Sequence, residues 1–263
     1  MATYTLSTAF GDIPLTVSER GQGRPVLLLH GGAGPTSVAG FADLMAARAP
    51  LRVLTPVNPG FAGTPRPDGL DSIRRLGELY RHLLDHLELS GVTVIGSSIG
   101  GWAAAELALA SERVEQLVLV DAVGMESAEH PVADFFSLTL DQIADFSYAN
   151  PDAYRIDPGA LTDAQKAVTA GNRAALQAYG GRSMSDPSLE SRLAGIAAPT
   201  LVVWGEADRI ATPAYGRQYA AAIPGAAFQL MPDAGHLPQI ETPEALLTIV
   251  DRFIGDPQLK SEA

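Results

Sequence analysis

Short apolar runs alternate with longer helix-like segments along most of this chain. Each run is short enough to be a strand that is covered on both faces. The predicted strands lie at 25–30, 52–56, 92–97, 117–121, 200–204 and 227–231. The predicted helices lie at 37–47, 72–87, 99–111, 214–222 and 243–254. Because strands and helices that alternate in this order form right-handed crossovers, the sequence predicts an α/β protein with a mostly parallel, doubly wound sheet.

One long interval, 123–198, departs from this alternation. It contains no run of the buried-strand type, but it has helix starts such as Thr162 followed three residues later by Gln165, which is the spacing of a capping box. We interpret the interval as a helical cap over the carboxyl edge of the sheet, where ligands bind in open α/β folds. The expected organisation is a core at 1–122 and 199–263 with this cap inserted.

The first residues resemble part of a sheet rather than a targeting signal. Residues 4–8 and 13–19 alternate polar and apolar side chains around Gly11-Asp12, which predicts an antiparallel hairpin. No basic segment followed by an apolar core is present there, so we expect a cytoplasmic protein. At the other end, the polar segment 256–263 contains Pro257, and we expect a frayed tail.

Composition narrows the class of protein and of partner. Hydrophobic residues make up 46% of the 263 residues and charged residues 18%, which is the balance of a folded enzyme. The formal net charge of −12 repels phosphate backbones and anionic lipids, and no apolar run approaches the ~18 residues of a membrane span. We therefore expect a small-molecule substrate, no nucleic acid or membrane partner, and a monomer or homodimer. The absence of cysteine excludes disulfides and a cysteine nucleophile.

The residues at 96–100 read Gly-Ser-Ser-Ile-Gly, a GxSxG pattern between a predicted strand and a predicted helix. This context is the one in which the pattern presents a nucleophilic serine on a sharp strand-to-helix turn. The pattern therefore makes Ser98 the candidate nucleophile. A glycine- and serine-rich turn without chemistry is the alternative.

An earlier strand ends in His30-Gly31-Gly32, a glycine-rich loop with backbone N–H groups able to point toward the neighbouring strand end. The N–H groups of Gly32 and Ile99 are the candidate oxyanion hole. We expect His30 to brace the loop by hydrogen bonding. A phosphate-binding loop is the rival interpretation, but neither a Walker lysine nor a GxGxxG follows this strand.

A serine hydroxyl near neutral pH needs an imidazole to accept its proton and a carboxylate to orient the imidazole. Asp208 and His236 each follow a predicted strand, so both side chains are expected at the carboxyl edge of the sheet with Ser98. His236 is the candidate general base and Asp208 the candidate acid. Asp121 and Glu206 compete with Asp208 for the acid role.

These motifs make the chain resemble the α/β-hydrolase superfamily along nearly its whole length. The matching pieces are His30-Gly31-Gly32, the 96–100 turn, Asp208, Gly235-His236 and the glycine loop at 58–63. The resemblance implies an α/β-hydrolase fold with a central serine turn and the chain order serine, acid, histidine. It also implies hydrolysis through a covalent intermediate, with no metal and no organic cofactor.

Several further residues are candidates for the substrate pocket. We expect Gly31, Trp102, Phe135 and Leu237 to line it, although core packing explains Trp102 equally well. Apolar and aromatic cap residues lie at 135, 136, 138, 140, 146, 148 and 154. Most of them must attach the cap to the core, and those that reach the pocket favour a moderately hydrophobic substrate.

Charged and imidazole groups outside these motifs have simpler interpretations. Three cap arginines, at 155, 173 and 182, are candidates for a substrate carboxylate, with surface solvation as the default for each. His82 and His86 have the i, i+4 spacing of a metal pair but lack the glutamate of HExxH and a third ligand. We therefore predict no metal site. His130 is expected on a surface loop.

The sequence thus predicts a serine hydrolase that cleaves a carboxylic ester through an acyl-enzyme. Hydrolysis of a carbon–carbon bond is the alternative, because meta-cleavage-product hydrolases are similar in the HGG loop and the serine turn. Their usual asparagine before the serine is Ser97 here, and their usual aromatic residue after the catalytic Gly-His is Leu237, which weakens this alternative. A ligand-binding protein of the same fold that does not turn its ligand over remains a third possibility.

Overall fold

A computed structural model describes residues 1–255 of the chain. The strands are β1 (Ala2–Thr8), β2 (Gly11–Arg20), β3 (Arg24–Leu29), β4 (Leu51–Pro56), β5 (Val92–Ser97), β6 (Val114–Val120), β7 (Gly124–Met125), β8 (Ser185–Asp186), β9 (Thr200–Gly205) and β10 (Ala227–Met231). One eight-stranded sheet has the order β1-β2-β4-β3-β5-β6-β9-β10. β1 and β2 are antiparallel to their neighbours. The other six strands of this sheet, β4, β3, β5, β6, β9 and β10, run parallel.

Helices cover both faces of this sheet. They are α1 (Thr36–Arg48), α2 (Ile73–His86), α3 (Ile99–Ala110), α4 (Leu140–Ser147), α5 (Asp163–Gly180), α6 (Leu189–Leu193), α7 (Pro213–Ala221), α8 (Pro238–Glu241) and α9 (Pro243–Gly255). Buried side chains of α2, α3 and α7 pack in one hydrophobic cluster. Those of α1 and α9 pack in a second cluster. The chain is therefore the doubly wound α/β protein that its alternating pattern predicts.

β3 illustrates why the buried strands have continuous apolar sequences. Leu27 and Leu29 belong to the cluster under α2 and α3, whereas Val26 and Leu28 belong to the cluster under α1 and α9. Successive side chains of a strand point to opposite faces, so a strand with helices on both sides needs an apolar residue at every position. β5 in the centre of the sheet is buried along its whole length, and its two polar side chains, Thr93 and Ser97, are hydrogen bonded to Gln116 and Gln239.

Two details of the strands differ from the sequence-based predictions. β6 starts at Val114, three residues before the predicted start at 117. The polar Gln116 is buried within the strand because its amide donates to the Phe253 carbonyl at 3.2 Å. The hairpin turn lies between the paired residues Thr8 and Gly11, not at Gly11-Asp12. The Thr8 hydroxyl closes this turn by donating to the Gly11 carbonyl at 2.7 Å.

The segment between β6 and β9, which we call the cap segment (123–198), is mainly helical. It contains α4, α5, α6 and the short pair β7-β8, which the sequence did not indicate. The predicted capping box is present at the start of α5, where the Gln165 N–H donates to the Thr162 hydroxyl at 3.3 Å. The division into a core and a separate cap domain stays a prediction.

No helix within residues 1–255 combines the length and the apolar composition that crossing a bilayer requires. The interpretation of 256–263 as a frayed tail concerns residues outside the described part of the chain.

Candidate active site

Ser98 lies on the sharp turn between β5 and α3, at the centre of the sheet. Its backbone has φ 56° and ψ −121°, a conformation that costs free energy for any residue with a side chain. The turn holds Ser98 at the carboxyl edge of the sheet with 8% of the residue exposed. Such strain at a turn is typical of a serine that is presented to a ligand.

The two glycines of the GxSxG pattern let this turn close. A Cβ atom on Gly96 would lie 2.1 Å from the Gly100 carbonyl oxygen, and one on Gly100 would lie 2.4 Å from the Leu29 carbonyl oxygen. Both distances are far shorter than any van der Waals contact. The pattern therefore has a steric cause, because β5, α3 and the end of β3 approach one another too closely for side chains.

His236 and Asp208 meet Ser98 at this edge. The Nε2 atom of His236 is 2.9 Å from the Ser98 Oγ, and its Nδ1 atom is 2.8 Å from the Asp208 Oδ2. Asp208 follows β9 and His236 follows β10. The parallel strands thus bring together three side chains that the sequence separates widely.

Hydrogen bonds from the surrounding backbone fix the acid and the imidazole. The Asp208 Oδ1 accepts from the N–H groups of Ile210 at 2.8 Å and Ala211 at 3.1 Å. The backbone N–H of His236 donates to the Ser147 carbonyl in the cap segment at 2.7 Å. With Oδ2 of an ionised Asp208 as the acceptor, Nδ1 carries the ring proton, which leaves the Nε2 lone pair for the serine hydroxyl.

The competing acids differ sharply in position. Glu206 is exposed and takes no part in the site. Asp121 follows β6 and is fully buried, and one of its carboxylate oxygens lies within 4.8 Å of the corresponding ligand atoms of Asp208 and His236. This trio is a candidate metal-ligand group of the described residues, but both ring nitrogens of His236 are already hydrogen bonded.

The glycine-rich loop after β3 is anchored by His30. Burial lowers the pKa of His30 to about 4, and a hydrogen bond to the Gly31 carbonyl raises it only in part. The neutral ring donates from Nδ1 to that carbonyl at 2.8 Å and accepts the Asn58 N–H on Nε2 at 3.1 Å. His30 therefore joins this loop to the loop after β4.

The two candidate oxyanion donors belong to the loop after β3 and to the serine turn. Gly32 lines the same cavity as the Ser98 side chain, and Ile99 is the first residue of α3. Within residues 1–255, neither N–H group has a hydrogen-bond acceptor. Two unpaired backbone donors beside a serine hydroxyl are suited to an anion that forms there.

A cavity of about 280 Å³ opens above Ser98 and His236, between the sheet edge and the cap segment. Phe135 and Leu237 line it, as the sequence-based interpretation has them. Gly31 and Trp102 are not among the residues that line this cavity, so their place in the substrate pocket stays a prediction. Trp102 is 4% exposed and donates to the buried Glu106 carboxylate at 3.2 Å, so it is a core residue.

Sequence reasoning named Leu140 and Arg173 as candidates but missed the other residues that α4 and α5 contribute to the cavity wall. The contributions of α4 are Leu140, Ile143, Ala144 and Ser147, and those of α5 are Thr169, Asn172, Arg173 and Leu176. Both sets have the spacing i, i+3, i+4, i+7, which is one face of a helix. This periodicity is visible in the sequence, but the sequence does not tell which face turns to the cavity.

The remaining candidates are distributed over the surface or the cavity rim. Arg155 is paired with Asp145 at 2.6 Å, and Arg182 lies 3.4 Å from Asp134. Arg173 lines the cavity, and no carboxylate within residues 1–255 forms an ion pair with it. His82 contacts Arg81 at 3.1 Å.

His86 and His130 also lie away from the site. The His86 ring packs edge-on against Tyr4. The His130 N–H donates to the Ser127 hydroxyl at 3.0 Å, in the cap segment. None of the three histidines outside the HGG loop and the triad, including His82, belongs to the group of potential metal ligands within residues 1–255.

Comparisons with known proteins agree with this fold. A model of the alpha/beta hydrolase family matches residues 26–249. A 2-hydroxy-6-oxononadienedioate/2-hydroxy-6-oxononatrienedioate hydrolase of Cupriavidus pinatubonensis is 30% identical, over 88% of this chain and 86% of the relative. A thermophilic esterase from Thermogutta terrifontis has a TM-score of 0.77 at 23% identity, over 97% of each chain.

A third match is a meta-cleavage product hydrolase from Pseudomonas fluorescens. It has a TM-score of 0.73 at 20% identity, over 96% of this chain and 97% of that structure. The chain belongs to the alpha/beta hydrolase family. Its relatives by sequence and by structure include hydrolases of different substrates, so membership defines a hydrolase fold and not a reaction.

Proposed function

We propose that the chain is a serine hydrolase that cleaves a carboxylic ester of a small, moderately hydrophobic molecule. The observation that carries this proposal is the buried hydrogen-bonded series from Ser98 through His236 to Asp208, at the floor of a cavity. A serine, an imidazole and a carboxylate in this geometry activate the hydroxyl as a nucleophile.

In the first half of the reaction, the Ser98 Oγ forms a bond to the acyl carbon while its proton passes to the His236 Nε2. The oxyanion of the tetrahedral intermediate accepts hydrogen bonds from the N–H groups of Gly32 and Ile99. The intermediate collapses, the bond to the leaving oxygen breaks, and His236 gives its proton to that oxygen. An alcohol leaves, and the acyl group stays on Ser98.

In the second half, water takes the place of the alcohol. His236 accepts a proton from the water molecule while the water oxygen forms a bond to the acyl carbon. The bond to Ser98 then breaks, and the proton returns to the Ser98 oxygen. Asp208 remains ionised throughout and stabilises the imidazolium that forms in each half. A carboxylic acid leaves the cavity and the enzyme is restored.

The cavity supports the proposed substrate class. Its walls are mostly apolar, with aliphatic and aromatic side chains from α4, α5 and the rest of the cap segment. About 280 Å³ of space is at the small end of ligand sites. Short acyl esters therefore fit better than long lipid chains.

Hydrolysis of a carbon–carbon bond is the second candidate, and Arg173 is the observation that favours it. Its guanidinium lies 5.3 Å from the ring centre of Phe135 and donates to the Phe136 carbonyl at 2.7 Å. These contacts leave other N–H groups of the cation for an anionic group in the cavity. A similar protein is named as a hydrolase of a dioate, which carries carboxylates.

A matched pair of arginine variants tests the importance of this cation. We expect Arg173→Met to lower kcat/KM for an ester with a free carboxylate at least tenfold, and to leave a neutral ester nearly unchanged. Arg182→Met removes a cap arginine that does not line the cavity, so it serves as the control. Equal loss on both esters would show that Arg173 supports the cap and does not select an anion.

The hydrolase proposal itself is tested with a series of short p-nitrophenyl esters. We expect wild type to hydrolyse them and Ser98→Ala to lose about six orders of magnitude in kcat. Ser97→Ala is the matched control, because Ser97 is the preceding buried serine and its hydroxyl donates to the Gln239 side chain at 3.5 Å, whereas the Ser98 hydroxyl is bonded to His236. Equal turnover by wild type and Ser98→Ala would refute the assignment of the nucleophile.

A wild type that hydrolyses neither esters nor vinylogous diketones would favour a protein that binds a ligand without turning it over. The cytoplasmic location and the monomeric or homodimeric state stay predictions.

A further inference from the structure

Asp121 is a second carboxyl group behind the candidate triad. It follows β6, has the left-handed backbone value φ 46°, and is 0% exposed. Its N–H donates to the Val203 carbonyl at 3.0 Å, and its Oδ1 accepts the Gly205 N–H at 2.8 Å. These two bonds hold the carboxyl group at the ends of β6 and β9.

The second carboxylate oxygen of Asp121 lacks a hydrogen-bond donor in the described part of the chain. Within residues 1–255, the Asp121 Oδ2 is buried and receives no hydrogen bond from any donor. A carboxylate oxygen of Asp121 nevertheless lies within 4.8 Å of the triad atoms contributed by Asp208 and His236. A buried polar oxygen without a donor is costly, unless the oxygen itself carries a proton and donates it.

The charges around Asp121 favour that protonated state. Asp208 accepts three hydrogen bonds, from two backbone N–H groups and from His236, so its negative charge is well compensated. Asp121 accepts one. Burial raises the pKa of Asp121 well above its usual range, and the charge and hydrogen bonding of Asp208 and the charge of Glu241 raise it further.

We propose that Asp121 carries a proton at neutral pH and donates it in a hydrogen bond to Asp208, as a positioning residue of the triad. This inference rests on the proposed function for its catalytic meaning. The protonated carboxyl gives Asp208 a fourth hydrogen bond and adds no second negative charge beside the imidazole. The pair of acids then presents a single charge to the imidazolium that forms during catalysis.

The first test is the pH profile of kcat/KM for wild type and Asp121→Asn. The asparagine amide keeps a neutral donor toward Asp208 and an acceptor for the Gly205 N–H. We expect the acid limb of the profile to stay in place, within about 0.3 pH unit, and the maximal rate to stay within about threefold. If Asp121 is ionised, the substitution removes a charge close to the imidazolium, and the acid limb moves down by about one pH unit or more. That shift would overturn the proposal.

A second variant separates positioning from folding. Asp121→Ala removes the donor to Asp208, and we expect kcat to fall at least tenfold while KM changes little. Retained kcat in Asp121→Asn, beside the loss in Asp121→Ala, would show that the hydrogen-bond donor to Asp208 matters. If Asp121→Ala does not fold, the comparison of wild type with Asp121→Asn still decides the question. If Asp121→Ala folds and keeps full kcat, Asp121 does not position the triad.

The protonation state is also measured without turnover. A neutral carboxylic acid has a carbonyl stretching band in the infrared that a carboxylate lacks. We expect such a band at neutral pH in wild type and in Ser98→Ala, and its loss in Asp121→Asn. Glu241→Gln is the control, because burial also raises the pKa of Glu241. Its carboxylate accepts the Gly235 N–H at 2.6 Å, so we expect the band to persist in this variant.

The two readouts keep the inference separate from the proposed function. Loss of the band in Asp121→Asn together with an inactive wild type would support the protonated pair and contradict the hydrolase. An unchanged infrared spectrum in Asp121→Asn would refute the protonated pair, whatever the turnover.

Discussion

The Nε2 atom of His236 lies 2.9 Å from the Oγ of Ser98, although 138 residues separate them in the sequence. The fold accounts for this contact, because Ser98 follows β5 and His236 follows β10, and both strands end at the same edge of one parallel sheet. Asp208 reaches the other side of the ring from the end of β9.

The acid of the triad is tested by changing two neighbouring carboxylates separately. We expect Asp208→Asn to lower kcat by about 10⁴-fold, because the amide no longer favours the tautomer in which Nε2 accepts the serine proton. Glu206→Gln is the matched control, since Glu206 is two residues away and exposed. A loss in the control as large as that in Asp208→Asn would contradict the assignment. Steady-state kinetics on one ester suffice.

The steric role of Gly100 is tested against another helical glycine. A Cβ atom at Gly100 would lie 2.4 Å from the Leu29 carbonyl oxygen and 2.6 Å from that of His30, so Gly100→Ala must displace α3 or the loop after β3. We expect it to lower the free energy of unfolding by about 3 kcal/mol or more. Gly40 lies inside α1 with no atom within 4 Å of its added Cβ.

We accordingly expect Gly40→Ala to raise the free energy of unfolding by up to ~1 kcal/mol, because alanine is the better helix former. Denaturant unfolding of both variants measures the difference. Equal effects of the two substitutions would show that the close approach at the serine turn is not required.

Acid sensitivity is expected from His30. Its pKa is lowered by burial from 6.5 to about 4, so between those values the unfolded chain binds a proton that the folded chain does not. The free energy of unfolding therefore falls as the pH falls through this window, by ~3 kcal/mol from His30 alone.

The test compares wild type with His30→Gln at several pH values. The variant loses two hydrogen bonds of the ring and is less stable at pH 7. We expect its deficit to shrink by ~3 kcal/mol as the pH falls to 4, because glutamine does not titrate. A deficit that is the same at both pH values would show that His30 is not kept neutral by the fold.

The titration of Asp121 changes the free energy of unfolding with pH in the opposite direction to that of His30. Its pKa in the folded chain is raised from 3.8 by burial first and by Asp208 second, so above pH ~4 the unfolded chain releases a proton that the folded chain retains. Wild type therefore loses stability as the pH rises from ~4 toward the raised pKa. Asp121→Asn lacks this loss.

Thermal or denaturant unfolding from pH 4 to 8 measures the difference between these two proteins. We expect Asp121→Asn to gain stability relative to wild type across this range. A constant difference would mean that Asp121 has the same proton affinity in the folded and unfolded chains.

The sheet was predictable where apolar residues dominate its strands. β5 and β10 have the predicted bounds, whereas β6 begins earlier than predicted because Glu115 and Gln116 interrupt the apolar pattern near its start. Gln116 is buried there only because Phe253 and Thr93 lie within hydrogen-bonding distance of its amide. Such partners come from distant segments and leave no local pattern.

The site was predictable for a related reason. Ser98, Asp208 and His236 each follow a strand of the parallel sheet. Because parallel strands end at the same edge, the meeting of the three side chains follows from the topology. Trp102 was not predictable, because α3 is apolar on all sides and buried along most of its length, and its periodicity does not show which side faces the cavity. The cavity face of α5 also depends on how the cap segment sits on the core.

The most direct measurement of the nucleophile is labelling with a fluorophosphonate, followed by mapping of the adduct by mass spectrometry. We expect wild type and Ser97→Ala to form one adduct on Ser98, and both Ser98→Ala and His236→Ala to remain unlabelled, because the hydroxyl reacts only when the imidazole takes its proton. An adduct on another serine, or labelling of Ser98 at the wild-type rate in His236→Ala, would contradict the hydrogen-bonded triad as the source of reactivity.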